Sequence, residues 1–123
     1  MKFLHSMIRV KDLDSAVRFY KDFLGLVPSK TLRLNDCTLY YFKDEETGVE
    51  IELTHNDEVP ESDYIVGNAF GHFAFEVDMD AAIKRVEEMQ YSWVYEPYFM
   101  KEVNKRVAFL KDPDGNSIEL IEA

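Results

Sequence analysis

The chain has 123 residues, 46% of them hydrophobic, which sets an upper limit of one ordinary domain or two small halves sharing a core. Its 14 basic and 24 acidic residues give a formal charge of −10, a field that repels polyanions and argues against nucleic-acid binding. No apolar run reaches membrane-spanning length, and Cys37 is the only cysteine, so an intrachain disulfide is excluded.

The opening stretch "MKFLHSMIRVKD" meets charge at Arg9 and Lys11 and carries no signal-peptide core. With the single cysteine, this points to a cytoplasmic protein. His5 to Val10 alternates as a strand. Asp12 or Asp14 then offers a helix cap. Ala16, Val17, Phe19, Tyr20, Phe23 and Leu24 supply an apolar stripe, and Gly25 marks the predicted helix end. Strands are predicted at Pro28–Leu34, Thr38–Lys43 and Val49–Thr54, with the turn signal "DEETG" before the last. Residues 57–68 are acidic, contain Pro and Gly, and read as a linker.

The plan then repeats. "HFAFEVD" opens at His72 as "HSMIRVKD" opens at His5. Asp78 or Asp80 can cap a helix whose stripe is Ala82, Ile83, Val86 and Met89. Strands are predicted at Trp93–Tyr98, Arg106–Leu110 and Ser117–Ile121, with "DPDGN" as the final turn. Each half therefore reads β-α-β-β-β. The expected organisation is a single α+β domain over 1–123, with module one at about 1–56 and module two at about 69–123. Two ordinary α/β stretches resembling each other by chance is the competing reading.

The repeat singles out four residues. Glu52 follows His5 by 47 residues, and Glu119 follows His72 by the same interval. The glutamates sit in "IELT" and "IELI". Strand alternation sets each of the four opposite a purely apolar face. If those apolar faces pack on the helices, His5, Glu52, His72 and Glu119 point into one concave surface. Any one of them alone reads as a surface group. Together, two imidazoles and two carboxylates suit Ni²⁺, Co²⁺, Zn²⁺ or Mn²⁺, with positions left for water or substrate. His55 follows Thr54 and falls on the opposite face or at the strand end, outside the site.

"LHSMIRVKDLDSAVRFYKDFLGL", "VEIELTHN", "GNAFGHFAFEVD" and "VAFLKDPDGNSIELIE" closely resemble glyoxalase I (lactoylglutathione lyase), of the vicinal oxygen chelate superfamily. The resemblance implies paired βαβββ modules forming an eight-stranded cupped sheet around a metal, and a homodimer whose sites often draw on both chains. It implies isomerisation of the methylglyoxal–glutathione hemithioacetal to S-lactoylglutathione. The metal ligands carried over are His5, Glu52, His72 and Glu119. Glu119 is the implied proton shuttle, and Glu52 its counterpart for the opposite substrate stereochemistry. Arg9 matches an arginine that binds the glutamyl carboxylate, Asn56 a glutathione-binding asparagine, and Lys101 a lysine in a mobile loop over the thiol carrier. Their plain alternatives are a surface ion pair, a turn residue and a solvated loop charge. The chain looks like the compact bacterial type, which prefers Ni²⁺ or Co²⁺, with Zn²⁺ or Mn²⁺ as alternatives.

Two departures stand out. Glu102-Val103 follow Lys101 where small residues are usual, and Asn116-Ser117 replace the common aromatic or lysine after "DPDG". They bear on the thiol carrier, not on the metal ligands. The rivals are a methylmalonyl-CoA epimerase-like enzyme, an enzyme using another thiol, and a non-catalytic antibiotic-binding protein of the same fold. Glu52 as a fourth ligand disfavours the three-ligand dioxygenases and fosfomycin transferases, and also the epimerase, which typically has glutamine there.

Overall fold

A computed structural model describes all residues from Met1 to Ala123. The chain divides into two compact units, Met1–Ile65 and Val66–Ala123. No helix is long and apolar enough to cross a membrane.

The first unit runs β1 (His5–Arg9), α1 (Leu13–Val17), a π-helical continuation (Arg18–Phe23), β2 (Val27–Arg33), β3 (Cys37–Lys43) and β4 (Glu50–Asn56). Asp12 is the cap: its carboxylate accepts from the Ser15 backbone N–H at 3.1 Å. The helix then widens. Leu24 N–H bonds to the Phe19 carbonyl at 3.0 Å, five residues back instead of four. Phe19, Tyr20 and Phe23 are all buried on this widened turn. Gly25 ends it with φ +78°, a left-handed conformation that costs a glycine little.

The second unit runs β5 (Phe73–Val77), α2 (Met79–Glu88), β6 (Trp93–Met100), β7 (Lys105–Lys111) and β8 (Ser117–Glu122). Asp78 caps α2 by accepting from the Ala81 N–H at 3.1 Å. Met79, Ala82 and Val86 are the buried stripe, and α2 lies against β8. The helix closes on Gln90, which takes φ +60° without being a glycine.

Each unit is thus a βαβββ module, as the repeat predicts. Every expected strand is present, with ends differing by one or two residues. The strand orders are β1-β4-β3-β2 and β5-β8-β7-β6, two four-stranded sheets of the same topology. In both, the first strand lies parallel beside the last, and the other pairs are antiparallel. Leu53 in β4 and Ile118 and Leu120 in β8 have no exposed surface. Burying each such side chain contributes roughly 1.5–3 kcal/mol. That burial also sets the sheet register, because a slip of one residue would turn every core side chain to the other face.

Candidate metal centre

The parallel pairing of first and last strands assembles the site residues in each unit. Met7 is the register partner of Glu52, so His5, two residues earlier, shares its face. Ala74 is the partner of Glu119 in the same way, and His72 lies two residues before it. His72 sits one residue ahead of β5, where the sequence suggests a strand position; it keeps the strand's alternation into the face of Glu119.

His5 Nε2 is 3.5 Å from Glu52 Oε1, and His72 Nε2 is 3.0 Å from Glu119 Oε2. In both pairs a half-exposed imidazole stands over a mostly buried carboxylate: the side chains are 38% and 9% exposed in the first, 42% and 16% in the second. Within either unit, no third His, Cys, Asp or Glu joins the pair to form a metal-binding group.

The donor set suits a borderline divalent ion. Two donors about 2.1 Å from one ion lie about 3.0 Å apart at a right angle and about 3.4 Å apart at the tetrahedral angle. The His72–Glu119 separation of 3.0 Å falls in that range, and the His5–Glu52 separation of 3.5 Å lies just beyond its upper end. A neutral imidazole Nε2 and a carboxylate oxygen are also the ligand atoms such ions take.

Around Glu52 the structure adds partners that sequence reasoning missed. Tyr41 is its cross-strand neighbour on β3, and its hydroxyl donates to Oε1 at 2.5 Å. Thr54 Oγ1 donates to Oε2 at 2.9 Å. Glu52, Tyr41 and Thr54 are all buried. The bond to Glu52 and the burial push the Tyr41 hydroxyl up to about 12. The Tyr41 ring meets His5 edge-on at 5.5 Å, and the Lys30 ammonium lies 4.5 Å from the ring centre.

Of the three expected substrate residues, Arg9 and Asn56 lie on the β1–β4 pair of the first unit, and Lys101 lies in the second unit. Arg9 is exposed at the end of β1, on the face of His5 and opposite Thr54 in register. Asn56 ends β4 on the face of Glu52, and its Nδ2 donates to the Tyr64 hydroxyl at 3.0 Å. Lys101 is exposed and opens the tight turn joining β6 to β7, where the Asn104 N–H bonds to the Lys101 carbonyl at 3.3 Å. His55 is half-buried on the opposite face of β4 from Glu52, as the alternation predicts.

Asn116, one of the departures, is a turn brace. Its backbone N–H and Nδ2 donate to the two carboxylate oxygens of Asp112 at 2.8 and 2.9 Å. That bracing holds the β7–β8 turn from which Glu119 follows.

Two four-stranded βαβββ modules, each bringing a His–Glu pair together from its first and last strands, define a class. The family model described as the Glyoxalase/Bleomycin resistance protein/Dioxygenase superfamily matches residues 2–120, and the chain belongs to that superfamily. Within it, the full-length relatives are lactoylglutathione lyases. The chain is 40% identical to "Lactoylglutathione lyase" of Neisseria meningitidis serogroup A, covering 99% of this chain and 91% of that protein. It is 39% identical to the protein of that name from Salmonella typhimurium, over 100% of this chain and 93% of the other. Among solved structures, glyoxalase I from Zea mays superposes with a TM-score of 0.87 at 29% identity; this chain is 99% covered and spans 44% of the maize chain. The trypanothione-dependent glyoxalase I of Leishmania major superposes with a TM-score of 0.81 at 31% identity, covering 99% of this chain and 86% of that one.

Proposed function

We propose that this chain is a metal-dependent lactoylglutathione lyase, converting the methylglyoxal–glutathione hemithioacetal to S-lactoylglutathione. The observation that carries the reading is the His–Glu pair, made twice, in the same topology and at or just beyond ligand-to-ligand separation. His5, Glu52, His72 and Glu119 would hold the ion, with Ni²⁺ or Co²⁺ favoured by resemblance and Zn²⁺ or Mn²⁺ also compatible with the donors. When bound, the ion supplies Lewis-acid stabilisation of the enediolate charge.

The chain's own residues then handle the proton. The hemithioacetal carbon lies next to a carbonyl and is a carbon acid. Glu119 takes the proton from C1 and returns it at C2, and Glu52 faces the substrate of opposite stereochemistry. Arg9 pairs with the glutamyl carboxylate of the thiol carrier, Asn56 hydrogen-bonds its peptide backbone, and Lys101 flanks its entry. A cytoplasmic homodimer belongs to the same reading.

One observation favours a neighbouring reading. The Lys101 turn carries Glu102 and Val103, both exposed, in place of small residues. This favours a thiol carrier other than glutathione on the same catalytic scheme; the Leishmania relative is itself trypanothione-dependent. The test is an isomerase assay with methylglyoxal and glutathione across Ni²⁺, Co²⁺, Mn²⁺ and Zn²⁺. Turnover with Ni²⁺ or Co²⁺ is expected. Failure with all four would turn the reading to the other-thiol or epimerase-like enzyme. A protein purified without metal and unresponsive to Ni²⁺ would favour a binding protein.

A further inference from the structure

We infer, building on the metal reading above, that Tyr41 and Thr54 are positioning residues that clamp Glu52 as the fixed carboxylate of the site, while Glu119 in the second module, 3.0 Å from His72, is held by no such hydroxyl and keeps more freedom to move. The inference rests on a difference between equivalent positions of the two modules. Tyr41 opposes Glu52 in register, and Phe109 opposes Glu119. Thr54 and Ile121 follow the two glutamates at the same interval.

The rings do the same packing. Tyr41 meets His5 edge-on at 5.5 Å and 87°, and Phe109 meets His72 edge-on at 5.6 Å and 80°. Only the hydroxyls differ. In module one, each carboxylate oxygen of Glu52 accepts from one buried hydroxyl. In module two, the corresponding Phe109 and Ile121 have nothing to donate to Glu119.

A carboxylate with both oxygens held cannot rotate without breaking two buried bonds, and leaving such groups unpaired is costly. Such a clamp orients a ligand and sharpens metal affinity. A proton shuttle needs the opposite: it must follow the proton from one carbon to the next. The clamp therefore favours Glu119 as the mobile base and limits the part Glu52 can take with the opposite stereoisomer, through one hydroxyl on each of two neighbours.

The test compares Ni²⁺ affinity of the metal-free protein, measured by chelator competition, with steady-state kinetics. Tyr41→Phe keeps the ring and removes the hydroxyl, so Ni²⁺ binding should weaken by about tenfold or more. Thr54→Val should weaken it as well, and Thr54→Ser, which keeps the hydroxyl, should restore it. Phe109→Tyr should clamp Glu119, lowering kcat by about tenfold with KM and Ni²⁺ affinity held or improved. Tyr41→Phe and Thr54→Val proteins that bind Ni²⁺ as tightly as the unmutated protein would overturn the clamp, and unchanged kcat in Phe109→Tyr would overturn the freedom assigned to Glu119. An unmutated protein that binds no divalent ion would overturn the metal reading and the clamp with it. One that binds Ni²⁺ but does not turn over the glutathione adduct would overturn the substrate alone, with the affinities still deciding the clamp.

Discussion

His72 Nε2 and Glu119 Oε2 lie 3.0 Å apart across the parallel pair formed by the first and last strands of their module. If Glu119 is the shuttle, Glu119→Gln removes the base but keeps the shape. We expect kcat/KM to fall by roughly 10²–10⁴-fold, the usual contribution of a positioned acid–base group. The circular dichroism spectrum and thermal midpoint should stay near those of the parent. Full activity in this variant would remove Glu119 from the mechanism.

Metal removal gives a second expectation, read without any substrate. An ion that binds only the folded protein stabilises it by about 2.7 kcal/mol at a free concentration 100 times its Kd. Thermal unfolding of the chelator-treated protein should therefore shift upward on adding Ni²⁺ or Co²⁺. The shift should be lost in the His5→Ala, His72→Ala double variant. An equal shift in that variant would point to binding elsewhere.

Arg106 ties β7 to β8 and to α2. Its guanidinium donates to Glu122 at 2.7 and 3.0 Å and to Asp80 at 3.0 Å, and its backbone N–H donates to Glu122 at 2.9 Å. These bonds hold the Glu122 carboxyl below its ordinary value of 4.5. Because the folded value is the lower one, the contribution is complete above the ordinary value and is lost as pH falls through the folded value. Asp57, held low by Arg33, acts in the same direction. Glu122→Gln should thus destabilise at neutral pH, and its difference from the parent should shrink on acidification below about 4.5 in urea titrations. A difference independent of pH would show that the carboxylate charge is not what matters.

Gln90 closes α2 at φ +60°, in a region unfavourable to side chains. Gln90→Gly relieves that backbone conformation, partly offset by the larger entropy glycine loses on folding. A net gain of about 0.5–1 kcal/mol is expected, visible as a raised thermal midpoint. A lowered midpoint would mean the glutamine side chain contributes more than its backbone costs.

The modules and their His–Glu pairs were legible in the sequence because period-two alternation is a local property and the 47-residue interval recurs in both halves. Each helix cap was legible to one of two aspartates, Asp12 or Asp14 and Asp78 or Asp80, and the structure selects Asp12 and Asp78. Tyr41 was not legible. Its role depends on the register between β3 and β4, which local pattern does not encode. The repeat even misleads there: aligning the halves from His5 and His72 without a gap sets Tyr41 against Ala108 and Phe42 against Phe109. The β3–β4 connection is one residue longer than the β7–β8 turn, and only the observed pairing shows that Tyr41 and Phe109 are equivalent. The π-helical stretch escaped as well, since Phe19, Tyr20 and Phe23 fit an ordinary helical stripe equally well.

The parallel zipping of first strand to last also makes each module a loop drawn shut by a cord. His5 and Glu52, or His72 and Glu119, stand at the two ends of nearly everything between them. Whatever bridges such a pair spans a long stretch of chain, and closing long loops is where a cross-link removes most freedom from the unfolded polypeptide. The group that prepares the carbon acid for proton transfer would then also be a fastener for its own scaffold, so loss of the ion would loosen the fold as well as silence the chemistry.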